Sequence, residues 1–171
     1  MAQHIFLKVH RLFLICAISF STVGCDQVTK VLARDTLAMN TLSYLGDSIR
    51  LQHAENSGAF MSIGADLPEG LRFAIFTFSV ALLLLVAAWY LFKDESKSTW
   101  KTVAITLILA GGTGNLIDRA FRGSVTDFLN VGVGWLRTGI FNVADMAVVA
   151  GVLIMLFVSF KSAAQVAGSQ D

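Results

Sequence analysis

Four stretches of this chain, about 9–31, 71–92, 102–121 and 143–160, are long and apolar enough to cross a bilayer, and that leaves few folds open. Each is close to the ~20 residues a helix needs to cover ~30 Å of hydrocarbon. Inside hydrocarbon every backbone N–H and C=O must be bonded within the chain, so such stretches are expected to be helices. Composition points the same way: 55% of the 171 residues are apolar and 15% charged, outside the range of an ordinary soluble domain. A single proline, Pro68, leaves no Pro-rich linker, so one domain over residues 1–161 is expected. The expected fold is a membrane all-α bundle of four transmembrane helices.

Between the first two spans, residues 36–70 are mixed in character and alternate around Ser48-Ile49-Arg50-Leu51-Gln52-His53. That alternation predicts a small extramembrane β cradle between helices 1 and 2. The stretch 122–141 carries Gly132, Gly134 and Gly139 near Trp135 and reads as a loop at the level of the lipid headgroups. Residues 162–171 are small and polar and are expected to form a disordered tail. Four spans put both termini on one side. Lys8, Lys93, Lys97, Lys101 and Lys161 fall on that side and mark it as cytoplasmic, although counting arginine as well brings the two sides to near parity. A net charge of +1 offers no field for nucleic acid, so lipid is the expected partner surface. Cys16 and Cys25 lie nine residues apart on the first span, roughly 13 Å of helix rise, which is beyond disulfide reach.

Carboxylates inside such a chain are costly and point to function. Counted at 1.5 Å per residue from Arg11, Lys101 and Lys161, Asp26, Asp118 and Asp145 stand roughly 22, 26 and 24 Å along three different spans, all near the outer interface. Asp127, on the connection after Asp118, is close enough in sequence to fold back onto them. Each has a bland reading. Asp26 and Lys30 have the i, i+4 spacing of a simple helix ion pair, Asp118 stands beside Arg119, and Asp127 could be a solvated turn residue. Asp145 sits in an apolar run with no charged neighbour in sequence and is the most suspicious of the four. Two adjacent carboxylates cannot both ionise, so one holds a proton while the other accepts one from water, an arrangement suited to hydrolysing peptide bonds. His4, His10 and His53 lack zinc-ligand spacing and no G-x-S-x-G elbow occurs, so neither a metal nor any other cofactor is expected. A proton-coupled transporter would spread its acids over several depths, whereas these cluster at one. A lipoprotein ending its signal at Val23-Gly24-Cys25 would not need three further spans.

In chain order the polar islands are Asp26-Gln27-Val28-Thr29-Lys30, Asn56-Ser57-Gly58-Ala59-Phe60, Gly114-Asn115-Leu116-Ile117-Asp118-Arg119, Val125-Thr126-Asp127-Phe128 and Phe141-Asn142-Val143-Ala144-Asp145. Together they resemble lipoprotein signal peptidase (signal peptidase II), over about residues 12–160. The resemblance implies an aspartyl endopeptidase of the bacterial inner membrane that cuts diacylglyceryl-modified prolipoproteins just before the lipidated cysteine. It also implies a site near the periplasmic face and cytoplasmic termini, with the chain acting as a monomer on its lipid-bearing substrates. It places the catalytic pair at Asp127 and Asp145, polar residues around the pair at Asn115, Arg119 and Asn142, and further functional positions at Asp26, Lys30 and Asn56, leaving Asp118 a supporting role. The segment Gly58-Ala59-Phe60-Met61-Ser62 departs from the family's usual pair of alanines before the phenylalanine. Gly111, Gly112 and Gly114 are expected to let helices approach closely.

Overall fold

The computed structural model describes residues 2–58, 66–94 and 98–167, so the Ala59–Ser62 part of that segment lies outside the described residues. The chain runs through helix α1 (Ala2–Leu37), strands β1 (Leu42–Tyr44) and β2 (Ile49–Asn56), helix α2 (Glu69–Phe73), a π-helical turn (Ala74–Phe78), α3 (Ser79–Lys93), α4 (Thr99–Arg122), strands β3 (Val125–Val133) and β4 (Leu136–Arg137), and α5 (Val143–Ala167). Helices α2 and α3 are continuous through the π turn, so the described residues form four long helical rods.

Three of the rods carry stretches long and apolar enough to cross a membrane: Phe6–Leu37, Ala74–Lys93 and Val143–Ser162. The remaining rod, α4, is long enough at 24 residues but is not among the three by composition, since Asn115, Asp118 and Arg119 interrupt its apolar run. Its position explains why. It packs against α5, α1 and α3, and its buried residues, among them Thr102, Thr106, Ala110, Gly111, Gly114 and Asp118, are spread around the helix. A helix sheltered by protein on several sides has no need of a lipid-compatible surface. Among the described residues the buried apolar ones are mostly small, such as Ala33, Ala104, Ala144 and Ala147, while Phe13, Phe20, Leu83, Phe92 and Phe157 are exposed. That inversion belongs to a protein whose surroundings are as apolar as leucine, so that close contact rather than escape from water holds helix to helix.

The glycines of α4 make those contacts possible, as expected. A Cβ on Gly111 would strike the Ala144 carbonyl oxygen, one on Gly112 would lie 2.5 Å from Leu84 Cδ2, and one on Gly114 would lie 2.6 Å from Asp26 Oδ2. The three thus admit α5, α3 and α1 in turn. At the terminal end, Arg11 donates to the carbonyls of Asp94 (2.7 Å) and Leu91 (2.5 Å), so α1 closes off the last turn of α3. At the other end α4 stops at Gly123, whose φ of 77° is open to glycine and whose N–H bonds the Arg119 carbonyl at 3.0 Å.

The strands form one antiparallel sheet in the order β1-β2-β3-β4. This corrects the expectation in one respect: the sheet is not confined to the segment between α1 and α2, because the stretch read as a loop supplies β3 and β4. Pairing of β2 with β3 shifts between Leu51 and Ala54, from Leu51↔Leu129 to Ala54↔Asp127. One extra residue in β2 makes a bulge there, of the kind that re-aims side chains. Beyond it Ala54 and Asn56 share a face with Asp127, while Glu55 pairs with Thr126 on the other. Phe141 then exchanges backbone bonds with Leu129 (2.9 and 2.8 Å), docking the residues just before α5 onto β3. Helix α5 continues to Ala167, so it runs into the stretch expected to be disordered. Ala163, Ala164 and Ala167 are strong helix formers and favour the helix beyond the apolar span.

Gly111→Ala should therefore lower stability by about 1–3 kcal/mol, because the new methyl meets backbone that cannot swing away. Gly24→Ala, with no atom within 4 Å of its added Cβ, should leave stability unchanged or slightly raised. Thermal unfolding in detergent checks both, and equal tolerance of the two would contradict the close approach of α4 to α5.

Candidate active site

The site is assembled around the first turn of α5. A helix start leaves backbone N–H groups without partners, and here three side chains supply them. Asn142 precedes the helix and accepts from Asp145 N at 2.9 Å, while Asp145 Oδ2 accepts from Asn142 N at 3.1 Å. This is a reciprocal capping box, with Asn and Asp in place of the commoner Ser/Thr and Glu. Asp26 of α1 reaches the next free donor, Ala144 N, at 2.9 Å.

Asp26 belongs to a buried ionic cluster that is more than the simple pair its spacing suggested. Lys30 Nζ lies 2.8 Å from Asp26 Oδ2 and 3.0 Å from Asp118 Oδ2, with the three side chains 0 to 1% exposed. Its third donor goes to Asn115 Oδ1 at 2.9 Å. Asp118 thus has its ion pair with Lys30 of α1, while its neighbour Arg119 acts on it through charge without such a contact. Its Oδ2 also accepts from Thr126 N at 3.2 Å, which pulls β3 against α4. Gln27 spans the same joint, donating to Asp26 Oδ2 and to the Gly114 carbonyl, both at 3.1 Å.

Above this cluster Asp127 and Asp145 meet through Asn142. The Asn142 amide donates to Asp127 Oδ1 at 2.6 Å and also faces Asn115 Oδ1 (3.1 Å) and the Thr126 carbonyl (3.4 Å). Asn115 Nδ2 donates to Asp145 Oδ1 at 2.8 Å. Asn56, re-aimed by the β2 bulge, donates to Asp127 Oδ2 at 3.1 Å. Asp127 and Asp145, from a strand and a helix 18 residues apart in sequence, are therefore joined by one asparagine that bonds both. Asp127 is buried, and burial raises its pKa from 3.8 to about 6; the Asn56 bond opposes that rise and the charge of Asp145 adds to it.

Of the residues singled out in the sequence, Asp26, Lys30, Asn115, Asn142, Asp127, Asp145 and Asn56 are linked by hydrogen bonds. Arg119 is set differently: its Nη2 donates to the Gly58 carbonyl at 3.0 Å, so it holds the chain just after β2. Three contributors had no prominent place in the sequence reading. Gln27 and Thr126 lie inside motifs read for their acids, and Arg34 donates to Thr126 Oγ1 at 2.8 Å from a turn beyond the expected end of the first span. The Asn142-x-x-Asp145 spacing before an apolar run was the signal for the capping box. Among the described residues no group of three or more His, Cys, Asp or Glu side chains is placed to hold a metal ion.

These features define the class: a transmembrane protein whose helices enclose a partly desolvated two-carboxylate site at the edge of a small sheet. Comparison with known proteins narrows it. The model of the family described as signal peptidase (SPase) II matches residues 18–161. The lipoprotein signal peptidase of Streptococcus pneumoniae is 34% identical over 149 residues, covering 86% of this chain and 93% of that protein. That of Borrelia hermsii is 35% identical over 144 residues, covering 80% and 84%. A solved structure described as a bacterial membrane enzyme superposes with a TM-score of 0.77 at 27% identity, covering 88% of this chain and 90% of its own. The chain belongs to the signal peptidase II family and is a peptidase of the membrane.

A carboxyl 13C titration of aspartate-labelled protein should show Asp127 with a midpoint near pH 6, against about 4 for an ordinary aspartate. Asn56→Leu should move that midpoint upward, because the lost amide N–H stabilises the ionised form. A midpoint near 4, or a downward move on losing Asn56, would contradict the environment described for Asp127.

Proposed function

We propose that this protein is an intramembrane aspartyl endopeptidase that removes the signal peptide from diacylglyceryl-modified bacterial prolipoproteins, cutting just before the lipidated cysteine. The observation that carries the reading is the bridging of Asp127 and Asp145 by Asn142. Family membership supports the substrate class. In this reading α4 spans the bilayer with the other three rods and the protein acts as a monomer. Both termini are cytoplasmic, and the site lies near the periplasmic face of the inner membrane, level with the scissile bond of a substrate anchored by its acyl chains.

The chemistry follows from the two environments. Asp127, whose burial favours the neutral form, holds the proton and donates to the scissile carbonyl oxygen. Asp145, with donors from Asn115 and the Asn142 backbone, is the ionised partner that takes a proton from water as the water oxygen bonds the carbonyl carbon. In collapse the proton on Asp145 passes to the leaving amine, the C–N bond breaks, and the re-formed carbonyl returns its proton to Asp127. Asn56 and Asn142 hold Asp127 in place, and Asp26, Lys30 and Asp118 hold the first turn of α5 and the strand opposite it. Arg119 holds the backbone at Gly58, two residues beyond Asn56.

A proton-relay reading finds no support in this arrangement, since among the described residues the buried acids Asp26, Asp118 and Asp127 lie in one cluster.

Purified protein incubated with a diacylglyceryl prolipoprotein should yield the product shortened to the lipidated cysteine. Asp127→Asn and Asp145→Asn should each cut the rate by ~10³-fold or more at unchanged folded yield, since an amide keeps the shape but exchanges no proton. Near-normal turnover by either variant would remove that residue from the pair. A peptide with the same cleavage sequence and an unmodified cysteine should be cut far more slowly, even when tethered by an acyl chain at a distant residue. Equal cleavage of the unmodified peptide would replace this reading with a general aspartyl peptidase.

A further inference from the structure

Lys30 is fully buried on α1, and all three of its N–H donors are used: Asp26 Oδ2 at 2.8 Å, Asp118 Oδ2 at 3.0 Å and Asn115 Oδ1 at 2.9 Å. The third of these differs in kind from the other two. The carboxylates neutralise the ammonium, whereas the amide is neutral and has two chemically distinct ends. An asparagine fits its site in either of two orientations related by a flip of the amide, and its neighbours decide which. With Oδ1 turned toward Lys30, Asn115 must present Nδ2 on the opposite side, where it donates to Asp145 Oδ1 at 2.8 Å. In the flipped orientation an amide oxygen would face the carboxylate, and the ammonium would face an N–H₂ group.

We propose that Lys30 is a positioning residue whose ammonium fixes the sense of the Asn115 amide and so maintains the hydrogen bond that Asn115 donates to Asp145. Asn142 Nδ2 also faces Asn115 Oδ1, at 3.1 Å, but that amide is committed to Asp127 Oδ1 at 2.6 Å and shares its remaining donor with the Thr126 carbonyl at 3.4 Å. The ammonium makes the charge-assisted bond, and a charged donor holds an acceptor more firmly than a shared amide does. Lys30 touches neither member of the carboxylate pair. It acts on Asp145 through one intermediate side chain, and its partners on the other side, Asp26 and Asp118, hold the ammonium where that bond is made.

The catalytic consequence rests on the peptidase reading above, but the orientation of Asn115 does not, and the test separates the two. Lys30→Met alone leaves two buried carboxylates against no cation and is liable to misfold. The informative variant is therefore Lys30→Met combined with Asp118→Asn. It keeps the cluster at one net negative charge, since one lysine with two aspartates and no lysine with one aspartate both sum to −1. Its control is Asp118→Asn alone. In [15N]asparagine-labelled protein, with Asn115→Leu used for assignment, one Asn115 side-chain proton should resonate at low field through its bond to Asp145. That signal should persist in the control and be lost in the double variant. With the diacylglyceryl substrate, kcat of the double variant should fall about 10- to 100-fold below the control, the scale of a bond to a charged group, with KM changed less than about twofold. Adding Asn115→Leu to the double variant should cost little more, because both changes remove the same bond. An Asn115 resonance unchanged by loss of Lys30, or losses from Lys30 and Asn115 that multiply, would overturn the proposal. Failure of the unaltered protein to cut the substrate would overturn the peptidase reading while the resonance still decides the role of Lys30.

Discussion

The start of α5 is the joint on which the rest of the molecule depends. Its free N–H groups lie in the protein interior, where side chains must stand in for water, and Asp26 and Asn142 do so from α1 and from the end of the sheet connection. Because those partners are a carboxylate and the cap of a second carboxylate, satisfying the helix start also gathers the polar groups of the site. Packing follows from the same joint. Gly111 and Gly114 of α4 have no side chain because the backbone of α5 at Ala144 and the carboxylate of Asp26 occupy that space. The Leu129–Phe141 bridge then delivers β3 to the same place.

Charge in this interior is tolerated only in company. Removing one partner from a buried ion pair costs on the order of 3–5 kcal/mol, because the other is left unneutralised in a poorly polarisable surrounding. The Asp26–Lys30–Asp118 cluster meets that condition with one cation and two anions, helped by the backbone donors of Ala144 and Thr126. Asp118 Oδ1 is buried with no hydrogen-bond partner among the described residues. The carboxylate pair is treated differently. Asp127 and Asp145 receive amide and backbone donors, the charges of Lys30 and Arg119 act on this pair without a hydrogen bond to it, and burial pushes Asp127 toward its neutral form.

Much of this was legible in the sequence, and the part that was not has a physical cause. Counting helix rise from basic anchors put Asp26, Asp118 and Asp145 at one depth, and the structure links all three through Lys30 and Asn115. What the count could not give is partnership. The i, i+4 spacing of Asp26 and Lys30 is the same whether or not Asp118 joins them from a helix some ninety residues away. The sheet was half legible for a similar reason. The period-two pattern of β2 stands out, but β3 is interrupted by Asn130 and Gly132 and owes its conformation to pairing with β2, about seventy to eighty residues earlier. The bulge that turns Asn56 toward Asp127 exists only in that pairing. The polar content of α4 is likewise partly a tertiary effect, since its neighbours cover Thr102, Thr106 and Asp118. Singling out Asp127 and Asp145 as the reacting pair came from the resemblance of the five motifs. In the structure these are, among the four acids, the two joined by Asn142 and free of direct contact with Lys30.

The central claim is that Asp127 and Asp145 work as one unit, and the most direct test is the rate of the double variant Asp127→Asn/Asp145→Asn measured beside each single variant on the diacylglyceryl substrate. If the two share one proton, either loss already disables the pair, and the double variant should be no more than about threefold slower than the slower single. Losses that multiply would show two carboxylates acting independently and would contradict the account.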